Sequence, residues 1–492
     1  MIFGRSSSKK TSGMTHGHPC LRMINGYRGS KIYNNTYYLG GLKMKKITSL
    51  LLALSLSLSV AACGTKAATP TETPSETPVE TPGDTEAEPL TGEISVQVET
   101  TWLPYYEAAV ARFKTANPDA KVTLIESKAV DMLDVLDKTD PSNMDVADVF
   151  AIPADRIYGM AENESLAPID ATALAAKVGG YTNFDEGLGG NFNIDGDYLA
   201  FPMNIETLIV FANKKNAEAA GVDLTKTVEL SDVKTNDILI PAFNAWYGVA
   251  VLNSAEIELL GKKDDGTLFS DFTAEWKDFP AEKQAAFTAL FNYWKGIQDE
   301  GTGMWDASTA WGIMDEQFAT GGKTSLRIEG PWDNAKMLGL ASEGADLEVL
   351  PIGTITVAGK PLKHWKGGWG MAVNARNEGD EEKMALSEAF IAELLNTEFA
   401  TDFWKVLGKI MPNVEASVYT DSDLTDTDKA VIENVLASYS DAPARPLFTE
   451  WGSVWDTWQN SVLSWSSVKP ATPEAAYAQV KAAFDAMMLN FQ

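Results

Sequence analysis

The side chains with most chemistry to offer in this sequence are its 68 aspartates and glutamates and its 14 tryptophans. A pair of carboxylates can do acid–base work on a glycosidic bond, but with 68 present no pair is set apart by its spacing. Beyond residue 18 the only histidine is His364, in "LKHWKGG", and no Gly-x-Ser-x-Gly elbow accompanies it; it reads as a loop histidine. "ATGGKTS" contains Gly-Lys-Thr, yet Gln317 stands where a phosphate loop needs its first glycine, and a strand follows where a helix should. "DSDLTDTDKAVIE" spaces its acids like a calcium loop, but Asp426 replaces the required glycine and Ile432 the closing glutamate. That stretch reads as a helix cap. No catalytic residue, metal or cofactor is expected.

The tryptophans raise a sharper question. In "SLRIEGPWDN" a short strand stops at Gly330-Pro331 and Trp332 follows at once in a polar stretch. Glycine permits positive φ and proline cannot continue a ladder, so a bend is expected there. Trp102 falls just after the first strand, where α/β sheets place ligands. Trp246 and Tyr247 follow "IPAFNA", Trp369 lies in "KGGWGMAV", and "LFTEWGSVWDTW" carries Trp451, Trp455 and Trp458. Spacings of four and three put Trp455 and Trp458 on one helix face, as packed core. The others come from separate loops. An indole presents a rigid apolar face that matches the C–H face of a pyranose, whose hydroxyls then need carboxylates, amides and guanidiniums around them.

Short β-rich runs alternate with helical ones. Strands are expected at 94–98, 122–125, 146–151, 198–203, 207–212, 238–241, 324–328, 347–350 and 370–374. Helices are expected at 105–116, 281–300, 381–395, 427–438 and 475–489, with Asn117-Pro118 stopping the first. The alternation predicts an α/β class with mostly parallel sheets, and the length suggests two lobes.

The N-terminal region has a different character. "MKKITSLLLALSLSLSVAAC", Met44 to Cys63, is a basic start, an apolar run and small residues before a cysteine. The run is shorter than the ~18–20 residues a spanning helix needs, and reads as an export signal. Residues 1–46 hold nine Lys/Arg and no acid. "LGG" just before Met44 could be encoded by a ribosome-binding site, so translation from Met44 is expected; a genuine basic extension is the alternative. Residues 63–91 are Thr, Pro and Glu, too polar to fold, and read as a disordered stalk. From Cys63 onward 31 basic side chains face 68 acidic ones, about −37 in all, which argues against nucleic acid. The cysteines are Cys20 and Cys63, so the domain beyond holds no disulfide.

Several of these stretches resemble one family. The small residues before Cys63 resemble a bacterial lipobox, with Cys63 as the lipidated residue. Together with the stalk and α/β body they resemble the solute-binding proteins of ABC importers, the maltodextrin and oligosaccharide group above all. "ISVQVETTW…YYEAAVARFKTANPDAKVTLIE" is similar to the family's opening strand, helix and strand. "VADVFAIPADRIYGMAENESLAPI" resembles the stretch holding an Asp-Arg pair, here Asp155 and Arg156, although an adjacent aromatic is missing. "DGDYLAFPMNIETLIVFANKKNAEAAGV" resembles the first lobe-to-lobe crossover, with Glu206 at the position of a sugar-binding glutamate. "TSLRIEGPWDNAKM" is similar to the Gly-Pro-Trp elbow whose indole stacks on glucose, here Trp332. Trp246 and Trp451 fall on stacking positions, Trp102 and Trp369 are looser matches, and Asn244 stands at a position where maltodextrin binders can carry a glutamate.

The resemblance implies a two-lobed periplasmic-binding-protein-like fold. Residues 92–206 and 351–396 form the N-terminal lobe and 207–350 and 397–492 the C-terminal lobe, with crossovers near 205–208, 350–353 and 395–397. It also implies a monomeric, non-enzymatic receptor that closes on a maltodextrin and docks on a permease. Lipid on Cys63 would hold it at the outer face of a single-membrane cell. Another oligosaccharide or a polyol as ligand, and an extracellular glycoside hydrolase, stand as the alternatives.

Overall fold

The computed structural model describes residues 88–491 apart from 137, 139 and 140. The basic leader, the export signal, Cys63 and the stalk up to residue 87 lie outside the described residues. Leu90 is already tied down, its N–H donating to Asn117 Oδ1 at 2.8 Å.

Strand β1 (Gly92–Val98) turns Ile94, Val96 and Val98 into the core. It pairs in parallel with β2 (Ala120–Glu126) and β3 (Val149–Pro153). All five residues of β3 are buried, as expected of a strand covered on both faces. The two-residue β4 (Leu166–Ala167) and β5 (Phe201–Glu206) lie across this sheet. A second sheet is built from β6 (Ile209–Asn213), β7 (Ile238–Leu239), β8 (Leu326–Glu329) and β9 (Leu347–Leu350). Strand β10 (Gly367–Asn374) then returns to the first sheet, between β3 on one side and β4 and β5 on the other.

Both sheets are mixed, not mostly parallel. Pairs β1–β2, β1–β3 and β7–β8 are parallel, whereas β10 is antiparallel to β3, β4 and β5, and β6 is antiparallel to β8 and β9. The cause is the route of the chain: the strand that arrives from the other sheet, β10 in the first and β6 in the second, runs against the strands beside it.

Strand β5 ends in the first sheet at Glu206 and β6 opens the second at Ile209, so Thr207 and Leu208 make the first crossing. The helix Glu381–Leu394 packs on β1 and on the helix Leu103–Ala116. The helix Ala400–Leu407 stays there too, with Phe403 edge-on to Tyr105 at 5.3 Å. Only with Asp426–Ser440, which lies on β9 and β6, is the chain at the second sheet again. This passage therefore falls after Leu407, later than 395–397, because the short helix following Asn396 buries its apolar face on Leu103–Ala116 first.

Candidate functional site

A cavity of about 1230 Å³ is lined by residues of the first sheet and by turns, helices and loops beside the second. Small-ligand pockets usually measure ~300–1,000 Å³, so this one has room for more than a single sugar ring.

Its second-sheet wall starts at the end of β8. Gly330 is extended there, with φ −93° and ψ 164°, so positive φ is not why glycine is needed. A Cβ at residue 330 would stand 2.2 Å from Cη2 of Trp332: the indole folds back over the bare α-carbon. Pro331 opens the 3₁₀ turn Pro331–Asp333 that delivers it. Trp332 is 37 % exposed, the one aromatic among the exposed large apolar side chains of the described residues. Facing it is Trp246, in the first turn of the helix Ala245–Asn253, with ring centroids 6.4 Å apart at 46°. Trp451 and Trp455 extend the aromatic wall, 4.9 Å apart at 72°.

The first-sheet wall is more polar. Glu206 ends β5, buried, and accepts from Trp369 Nε1 at 3.0 Å. Trp369 sits where the β10–β5 register slips between residues 369 and 370, and such bulges re-aim a side chain. Burial pushes the Glu206 carboxyl up, opposed by the charges of Lys409 and Arg445 and by the indole hydrogen bond. Burial likewise pushes the Lys409 ammonium down, opposed by Glu206 and Glu99. Lys409 Nζ lies 5.2 Å from the Trp102 ring centroid and 5.0 Å from that of Trp369, within cation–π range of both.

Asp155 and Arg445 join the walls. Asp155 follows β3, and its Oδ2 receives Arg445 Nη2 at 2.8 Å, while the guanidinium carbon lies 4.9 Å from the Trp246 ring. Asp155 Oδ1, Arg445 Nε and Trp451 Nε1 are buried without a protein hydrogen-bond partner among the described residues. These are one acceptor and two donors on residues that line the same cavity, and buried polar atoms of this kind call for partners.

Behind Trp246 lies His364, in a loop as expected, and buried there. Its ring meets the indole edge-on at 4.3 Å. Nε2 lies 2.9 Å from the Trp246 carbonyl, so that nitrogen carries the proton, and Nδ1 faces the Thr207 hydroxyl at 3.3 Å. Burial drives its pKa down to about 3, so the ring is neutral at ordinary pH.

Of the residues expected from the sequence, Trp102, Asp155, Arg156, Glu206, Trp246, Trp332, Trp369 and Trp451 share the cavity wall. Arg156 reaches Asp134 Oδ1 at 3.4 Å. Asn244 and Tyr247 are not on that wall. The Asn244 side chain caps its helix, accepting from Trp246 N at 2.9 Å, and Tyr247 turns inward to Glu329. Sequence reasoning missed Lys409, Arg445 and Trp455. Trp455 was assigned with Trp458 to one packed face; only Trp458 is core, while Trp455 stays half-buried at the cavity.

Comparison with known proteins adds an independent line. The family described as bacterial extracellular solute-binding protein matches residues 108–431. The maltodextrin-binding protein MdxE of Bacillus subtilis (strain 168) is 24 % identical over 396 residues, spanning 78 % of this chain and 87 % of that protein. Among solved structures, MalX from Streptococcus pneumoniae in complex with maltopentaose superposes with a TM-score of 0.61 at 20 % identity, covering 81 % of this chain and 100 % of its own. The GacH receptor of Streptomyces glaucescens, solved unliganded and with acarbose, gives 0.62 at 17 %, covering 82 % and 100 %. These structures share the two-lobed α/β fold with this chain.

Proposed function

The chain belongs to the bacterial extracellular solute-binding proteins, and from that premise we propose that it is the receptor of an ABC importer that captures maltodextrins between its lobes. The observation that carries this reading is the pair of indoles, Trp246 and Trp332, meeting at 46° over the cavity. Two tilted apolar faces suit a curved chain of pyranoses better than one flat ring or a polyol. Glu206 on the first-sheet wall, and Asp155 and Arg445 where the two walls meet, supply acceptors and donors for hydroxyls. Closure follows if ligand contacts on both walls are available only when the lobes approach. The names of MdxE and MalX's bound sugar point to the same ligand class. Asp155, Glu206, Trp246, Trp332, Trp369 and Trp451 are the residues we assign to ligand contact; Trp102 and Arg156 border them.

Titration calorimetry of the purified protein against glucose oligomers, xylo- and galacto-oligosaccharides and polyols tests the ligand. Saturable heat with the glucose series is expected, and heat with another series alone would replace the substrate. In the same assay Trp332→Ala should lose ~1–3 kcal/mol, as aromatic platforms typically do, a roughly 5- to 150-fold rise in Kd. Its ligand-free melting temperature should move little, because a side chain this exposed leaves no core cavity. Normal binding with a sharply lowered melting temperature would make Trp332 structural.

The same proposal places the receptor on the outer face of the cytoplasmic membrane, as a monomer held through lipid on Cys63 and docking on a permease. The sequence supports this through its lipobox-like ending and a polar stalk. Metabolic labelling with a fatty acid should mark the protein, and Cys63→Ser should abolish the label. Mature chains starting at any other residue would rule the anchor out.

A further inference from the structure

We infer that Glu329 is a positioning residue that holds the two indole platforms, Trp246 and Trp332, in their mutual geometry; the inference rests on reading the cavity as an oligosaccharide site. Glu329 ends β8 and is completely buried. A carboxylate in such a place needs partners at both oxygens. Oε2 has Arg327, whose Nη2 donates at 3.0 Å while Nη1 donates to Asp315 at 2.5 Å. Oε1 looks the other way and accepts twice, from the Tyr247 hydroxyl at 2.5 Å and from the Gly330 N–H at 3.1 Å.

Each of those donors belongs to one platform. Tyr247 is the residue after Trp246, in the first turn of the same helix. Gly330 is the surface on which the Trp332 indole rests. One oxygen therefore fixes the start of a helix and the elbow of a strand relative to each other, directly behind the 6.4 Å indole pair. Apolar packing already places the helix, since Tyr247 also meets Trp311 at 5.4 Å; the hydroxyl adds direction. A buried ion pair is a poor way to gain stability, because apolar replacements often do as well. What this pair supplies is a fixed angle between two faces that a rigid sugar chain must meet together.

Two substitutions separate this role from a structural one. Tyr247→Phe removes the hydroxyl and keeps the ring; Glu329→Gln keeps the shape and removes the charge. With maltotriose as probe and the full chain as protein, each should bind about 5- to 50-fold more weakly while melting cooperatively without ligand. Repeated in a Trp246→Ala background, Tyr247→Phe should change Kd by less than about twofold, because that arm then has no platform to aim. Equal losses in both backgrounds, or a lowered melting temperature with unchanged affinity, would overturn the inference. If Glu329→Gln does not fold, Tyr247→Phe carries the test alone. A parent protein that does not bind maltotriose overturns the reading of the cavity and this inference with it. A parent that binds, beside a Tyr247→Phe variant that binds equally well, overturns the inference alone.

Discussion

Replacement of Arg445 by methionine is expected to destabilise the ligand-free protein by roughly 3 kcal/mol or more, the usual cost of breaking a buried ion pair. The Arg445 and Asp155 side chains are 5 % and 16 % exposed. Asp155 Oδ1 has no protein partner among the described residues, so losing Arg445 would leave both oxygens of a largely buried carboxylate unpaired. Methionine keeps much of the apolar stem, so the loss isolates the charge. Urea unfolding of the single variant and of Asp155→Asn/Arg445→Met tests the cause. The double variant should recover part of the loss, since it carries no orphan charge. A double variant less stable than Arg445→Met alone would mean that packing against Trp246, 4.9 Å away, matters more than the pair.

The second large effect concerns acid. Burial holds the His364 pKa near about 3, with the Arg445 charge adding to it and hydrogen bonds to Trp246 and Trp365 opposing it. An unfolded histidine titrates near ~6.5. Between those values the unfolded chain binds a proton that the folded chain refuses, so the stability from this group is complete above pH ~6.5 and is lost as pH falls towards 3. The slope is about 1.4 kcal/mol per pH unit, giving about 3 kcal/mol between pH 6.5 and 4. Glu206, Glu258 and Glu388 work the other way, since burial raises their pKa and the folded state binds their protons more readily. Comparison with His364→Gln removes that background: the variant's acid limb should be shallower over this window. Parallel limbs would show that the ring protonates in the folded protein without penalty.

How much of this was open to sequence reading depends on how local the cause is. Strands such as β1 and β9 and the helix Ala281–Glu300 were legible because their apolar periodicity is a property of a few neighbours. Trp332 was legible because Gly-Pro before an indole interrupts a strand. Strand direction was not, since nothing in the composition of β10 says that it arrives from the other sheet. Lys409 and Arg445 were hidden for a similar reason. Each is a single cation in a loop, and its meaning comes from Trp102, Trp369, Asp155 and Trp246, distant in sequence. Tyr247 follows a cavity residue in sequence, but successive helical side chains point about 100° apart, so adjacency to Trp246 did not carry it to the wall; Asn244, expected there from the family resemblance, is taken up in capping the same helix.

The contact between the Trp332 ring and the bare α-carbon of Gly330 also bears on descent. At φ −93° a side chain at position 330 would cause no backbone strain, so what the glycine supplies is the space above it. Any side chain there would evict the indole. A lineage can give up the tryptophan first and then let position 330 drift, but the reverse order passes through a protein whose indole has been pushed aside. The two positions are thus expected to change together, and across descendants a side chain at 330 should be found only where the indole at 332 has already gone.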